Sequence, residues 1–107
     1  MDDIVRLYVG TVTTTEATIV NSTNGVVIKS ILICNTGTEE KKAKLTIDGK
    51  DFIFKVASES TLTLSDVIVC NVVNGSVVDS TVVAGTGEST EPKQLNVFIS
   101  GIRLGAA

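Results

Sequence analysis

The stretch Val26-Val27-Ile28-Lys29-Ser30-Ile31-Leu32-Ile33-Cys34-Asn35-Thr36-Gly37 decides how this chain folds. It is apolar on both parities, with Val26, Ile28, Leu32 and Cys34 on one and Val27, Ile31 and Ile33 on the other. A strand with one wet face alternates, because successive side chains point to opposite sides of the sheet. Two explanations fit the pattern. A β-bulge near Lys29-Ser30 switches parity midway, so that each half alternates by itself. Alternatively, both faces are covered and the outer one is buried against another molecule. Residues 95–104 pose the same choice, with Leu95, Val97 and Ile99 on odd parity and Phe98, Ile102 and Leu104 on even parity. There Gly101, inside a strand pattern, marks Ser100-Gly101 as a second place for a bulge.

Outward from this stretch the chain is rich in Val, Ile and Thr, the β-branched residues that suit a pleated sheet. No window carries convincing period-3.6 apolar spacing, so helix is expected to be almost absent. Asn24-Gly25, Asp48-Gly49 and Asn74-Gly75 are dipeptides that favour tight hairpins, because both residue types tolerate positive φ. The Asn74-Gly75 signal reads most clearly as a turn between two apolar runs. The pattern predicts strands at 4–9, 17–20, 26–35, 43–48, 51–56, 60–64, 67–73, 76–84 and 95–104. Eight or nine short strands without helix read as a β-sandwich, jelly-roll-like, or a barrel, and the expected fold is an all-β, single-domain antiparallel β-sandwich of jelly-roll-like type. Residues 1–16 form an N-terminal arm or first strand. Residues 17–107 are expected to form the sandwich, and residues 85–94, which hold the single proline, Pro92, are expected to be a mobile loop.

Composition narrows the function classes. At 107 residues there is room for one core, and 43% hydrophobic against 20% charged residues excludes a disordered chain. The net charge of -3 argues against nucleic acid, whose phosphates need an excess of Lys and Arg. Lys41, Lys42 and Lys44 follow Glu39 and Glu40 and read as a solvated turn. The acidic start Met1-Asp2-Asp3 is unlike a signal peptide, and no apolar run is long enough for a membrane span. A product made in the cytoplasm, with no membrane partner, is therefore expected. Cys34 and Cys70 read as buried free thiols rather than a disulfide or a zinc site.

Catalysis finds little support. The chain has no histidine, which removes the usual general base and the commonest metal ligand. Asp48-Gly49-Lys50-Asp51 lacks the oxygen spacing of a calcium loop and reads as a hairpin turn. Gly85-Thr86-Gly87 does not lead from a strand into a helix, so it is no phosphate cradle. Phe52 and Phe54 share a strand face and are expected in the core. No enzyme activity, cofactor or metal is expected. A mean hydropathy of +0.36 is high for a solitary small domain and points towards a protein that works inside an assembly.

Several segments resemble small structural proteins of tailed bacteriophages. They are Thr18-Ile19-Val20, the polar turn at 21–25, and I-K-S-I-L-I-C-N-T at 28–36, followed by S-T-L-T-L at 60–64 and N-V-F-I-S-G-I at 96–102. The resemblance implies a β-sandwich accessory protein of the virion, at the head surface, neck, tail or fibres. It implies particle architecture and no catalytic residue. The expectation is thus a non-enzymatic virion structural protein, a capsid decoration or neck or tail component, made in the host bacterial cytoplasm. Its partners would be other virion proteins and further copies of itself, without nucleic acid or membrane. The alternative is a fibre-tip module that binds a carbohydrate or receptor. The candidate interface residues are Val27, Ile31, Ile33, Val97 and Ile99 on the two doubly apolar strands, Tyr8 near the N-terminus, and Glu88 and Pro92 in the loop.

Overall fold

The computed structural model describes residues 4–78 and 93–105. Glu88, Pro92, most of the 85–94 loop and the end of the predicted 76–84 strand lie outside the described residues. Within them the chain is all-β and without helix. Seven strands run in order: β1 Val5–Val12, β2 Ala17–Asn35, β3 Lys41–Ile47, β4 Lys50–Val56, β5 Ser60–Leu64, β6 Ile68–Val78 and β7 Leu95–Arg103. They form one antiparallel sheet in the order β1-β7-β2-β6-β3-β4, with β5 paired to β2.

Seven strands replace the expected eight or nine because two turn signals do not turn the chain. Ala17 to Asn35 is a single strand. Opposite Asn71 alone, Ser22, Thr23, Asn24 and Gly25 loop out of the ladder and the strand then resumes. Gly25 takes φ 93 there. The carbonyls that lost ladder partners are met by the Asn71 amide, which donates to Ser22 O at 3.0 Å and Thr23 O at 3.2 Å. Asn74-Gly75, the other signal, lies inside β6. A hairpin of that type needs positive φ at both residues, and neither has it. Gly75 serves packing instead, since a Cβ there would meet Ile19 Cδ1 at 3.1 Å and Val12 Cγ1 at 3.2 Å. Asp48-Gly49 does make the expected turn. With φ 48 and 86 it joins β3 to β4, and Ile47 pairs with Lys50.

The bulge in the opening stretch is present, and it has company. Ile28 pairs with Gly101 and Ser30 with Ser100, which leaves Lys29 as the extra residue on β2. On the other side of β7, Arg6 pairs with Ser100 and Tyr8 with Ile99, so Leu7 is extra on β1. Beyond β2, Leu64 pairs with Ile31 and Ile68 with Ile28, placing Ser65, Asp66 and Val67 opposite Lys29 and Ser30. These irregularities lie side by side and crease the sheet across its strands. Bulges bend strands and raise local twist. The crease brings the backbones close at Gly101, where a Cβ would overlap Val27 O and Ile28 Cα.

Bonds outside the strand ladder form near each end of β2. At one end Val77 N donates to Thr13 O at 2.7 Å. At the other, Asn35 Nδ2 donates to Val56 O at 3.2 Å, and Lys41 Nζ donates to Asn35 Oδ1 at 3.0 Å. Lys42, next to Lys41, pairs with Val78 and so joins the two ends. The core draws on β1, β2, β3, β4, β6 and β7. Val26, Ile28, Ile31, Ile33, Ala43, Leu45, Val73 and Ile99 are all at 0% exposure. With no helix among the described residues, side chains from other strands of the same sheet pack against them. Each such Val, Ile or Leu side chain contributes roughly 1.5–3 kcal/mol through burial.

Candidate association surface

The bulge at Lys29 fixes which side chains face out. Before it, Val26 and Ile28 point inward; after it, Ile31, Ile33 and Asn35 do. Along β7 the inward set is Leu95, Val97, Ile99 and Gly101. Four of the candidate interface residues are therefore core: Ile31, Ile33 and Ile99 at 0% exposure and Val97 at 2%. They are unavailable to a partner, because the parity switch turns them into the chain's own core. Tyr8 is half-buried and packs against the same core. A Cβ on Gly10 would meet its ring, so the glycine leaves room for the ring to lie over it. Val27 faces outward and is half-buried. Phe52, expected in the core with Phe54, is 48% exposed, and Phe54 is half-buried at the margin of the core.

Outward-facing apolar side chains form two rows, one on each side of the crease. In the first, Val9 pairs with Phe98 and Phe98 with Leu32, across β1, β7 and β2. They are 57%, 38% and 36% exposed, respectively. Beside them Thr11, Asn96 and Cys34 complete a shallow groove of about 360 Å³. Thr11 Oγ1 donates to Asn96 Oδ1 at 3.0 Å within it. In the second row Ile102 pairs with Val27 and Val27 with Val69. Val69 is 67% exposed and Val67, near it, 60%. Exposed Lys29 and half-buried Ser100 stand between the rows. Leu32, Phe98 and Val69 were missed in the sequence because the outward parity depends on where the bulge falls. The one available signal was that Leu32 and Phe98 occupy the opposite parity of the same two strands.

The polar bonds of Asp48 hold the β3–β4 turn in place. Asp48 Oδ1 accepts from Val72 N and Asn71 N, both at 2.9 Å, and Asp48 N donates to Val72 O at 2.9 Å. These bonds tie the β3–β4 turn onto β6. The donated N–H groups of Val72 and Asn71 hold the Asp48 carboxyl below its usual range. Cys70 lies in the core, where burial first and the Asp48 charge second push its thiol pKa up. Cys34 is half-buried on the outer face, and both cysteines are free. Among the described residues no group of three or more His, Cys, Asp and Glu converges as a metal ligand set. None of their helices could cross a membrane, since there are none. Among the described residues the outer face carries exposed apolar side chains at Val9, Leu32, Phe98 and Val69.

No family model matches the chain, and no curated protein matches its sequence.

Proposed function

We propose that the protein is a non-enzymatic structural component of a tailed-bacteriophage virion. It would be held in many copies on capsid, neck or tail proteins through the outer face of its doubled sheet. The two halves of that sheet are read as the layers of a β-sandwich, β1, β7, β5 and the end of β2 against the start of β2, β6, β3 and β4. The observation that carries the association reading is the exposed row Val9–Phe98–Leu32, on a sheet whose own core is already filled from the other side. An exposed apolar surface of this kind favours contact with another protein. The virion setting comes from the segments that resemble phage structural proteins. Repetition around a symmetric particle turns modest contacts into firm attachment.

The test begins with the neighbouring genes. Portal, capsid or tail genes beside this one support the reading, and a metabolic operon overturns it. Particles of that phage are then assembled with the wild-type chain and with Phe98→Glu. Retention of the wild type and release of the variant, at an unchanged unfolding midpoint, is the expected result. A wild-type chain that never co-purifies with particles refutes it.

A further inference from the structure

Among the described residues no strand pairs with the outer edge of β4. β4 is the last strand in the order, and its seven residues pair with β3 without a bulge. β1, the strand at the other end, is interrupted at Leu7. In a ladder closed by a two-residue turn, the residues flanking the turn exchange hydrogen bonds, and so does every second pair after them. Lys50, Phe52, Phe54 and Val56 therefore bond to β3, while Asp51, Ile53 and Lys55 turn their N–H and C=O groups outward. All three are exposed, as is Phe52.

The sequence of this edge, Asp51-Phe52-Ile53-Phe54-Lys55, reads with opposite charges at equal distance from Ile53. We propose that a second copy of the chain adds antiparallel to β4 about a two-fold axis at Ile53, making one continuous sheet across two molecules. In that register Asp51 lies opposite the second copy's Lys55, and Lys55 opposite its Asp51. The pairs that form are the ones whose backbone groups already point outward. Phe52 stands opposite Phe54 of the second copy on the core-side face, which covers the ring left 48% exposed in one chain.

Charge selects both the partner and the register. Within one chain Lys55 sits directly across from Lys42, a like-charge pair that opposes the fold. No acid in the described residues pairs with Lys55, and the mate's Asp51 supplies one. Centring the pair on Asp51 or on Lys55 would set like charges face to face, and centring it on Phe52 or Phe54 leaves both charges unmatched. Lysines on an edge normally discourage pairing. Here the Ile53 register is the one that answers them. The proposal does not depend on the virion reading, and it uses a different surface from the Val9–Phe98–Leu32 row.

The test is mass by light scattering over a concentration series up to about 1 mM chain, where weak pairing becomes visible. The wild type should rise from the 11.2 kDa of one chain towards twice that mass. K55D places an acid across from Lys42 within the chain, so the fold keeps its stability, yet it sets acid against Asp51 across the interface. D51K sets lysine against Lys55 there. Each single variant should weaken association by about tenfold or more, and the double swap D51K/K55D should restore it. Circular dichroism and the unfolding midpoint verify that each variant is folded. F98E should leave this association unchanged, which separates it from the surface proposed above. A chain that stays at single-chain mass throughout overturns the proposal. So does association that K55D does not weaken, or a folded double swap that fails to recover it.

Discussion

Lys41 Nζ donates to Asn35 Oδ1 at 3.0 Å, and both residues are buried, Asn35 at 0% and Lys41 at 8% exposure. This bond lies where the end of β2 meets the start of β3 and the end of β4. Asn35 also accepts from Gly37 N at 3.0 Å and donates to Glu39 O at 2.6 Å and Val56 O at 3.2 Å. Its amide thus satisfies the tight turn after β2 and joins that turn to the facing strand.

Removing that amide should be costly. Asn35→Ala leaves the carbonyls of Glu39 and Val56 without this donor and takes a partner from the Lys41 ammonium. The expected loss is about 2–4 kcal/mol, since buried polar groups left unpaired carry their full desolvation cost. Urea denaturation should show a lower midpoint at an unchanged slope.

Gly101→Ala tests the crease. The added methyl would overlap backbone atoms of Val27 and Ile28, which cannot swing aside as a side chain can. A destabilisation of about 2–3 kcal/mol is expected from the forced backbone shift. Gly49→Ala gives the contrast, because a Cβ there meets nothing and only the positive φ of 86 opposes it. Its cost should be smaller, about 1 kcal/mol, in the same denaturation series.

Asp48 predicts a pH dependence with a definite sign. Its folded-state pKa lies below the ordinary 3.8, so its charge favours the folded state above that value. The contribution fades as pH falls below 3.8 and through the folded-state pKa. Asp48→Asn keeps an acceptor oxygen and a residue tolerant of positive φ but has no titrating charge. The stability gap between wild type and Asp48→Asn should be constant near neutral pH and narrow on acidification below 3.8. Paired unfolding curves at several pH values measure it, with the other carboxylates common to both chains.

The two thiols should react in sequence. Cys34 is half-buried on the outer face, whereas Cys70 is 2% exposed with its pKa raised. A thiolate is the reacting form, so burial and a raised pKa both slow Cys70. Iodoacetamide on the native chain should label Cys34 alone, and Cys70 should follow only in denaturant. Mass spectrometry of the digested protein reads both sites. Equal labelling in the native state would contradict the inward placement of Cys70.

Local chemistry fixed much of the strand-level detail. The β-branched composition is enough to call for sheet. Lys29-Ser30 breaks an otherwise apolar run at the point where the bulge lies, and Gly101 marks the close approach across from it. Asp48-Gly49 turns because its two residues tolerate positive φ and the flanking runs can pair. Asn74-Gly75 has the same local signature and stays extended, because β6 is held between β2 and β3 and Gly75 is needed small beneath Ile19 and Val12. Phe52 and Phe54 alternate as core residues do, but whether a ring is covered depends on how far the facing half reaches.

V-V-I-K-S-I-L-I-C-N-T-G contained both possible answers to its broken alternation. By itself it narrowed the answer to a parity switch near Lys29 or a second covered face, and the pairing of Ile28 with Gly101 and Ser30 with Ser100 chose the switch. Which of its side chains face out was decided only by where the bulge at Lys29 falls, beside the irregularities at Leu7 and the β5–β6 junction. A parity is local, whereas a buried face exists only once a distant part of the chain lies against it. That is why Ile31 and Ile33 went to the core, and Leu32 was left beside Phe98 on the surface.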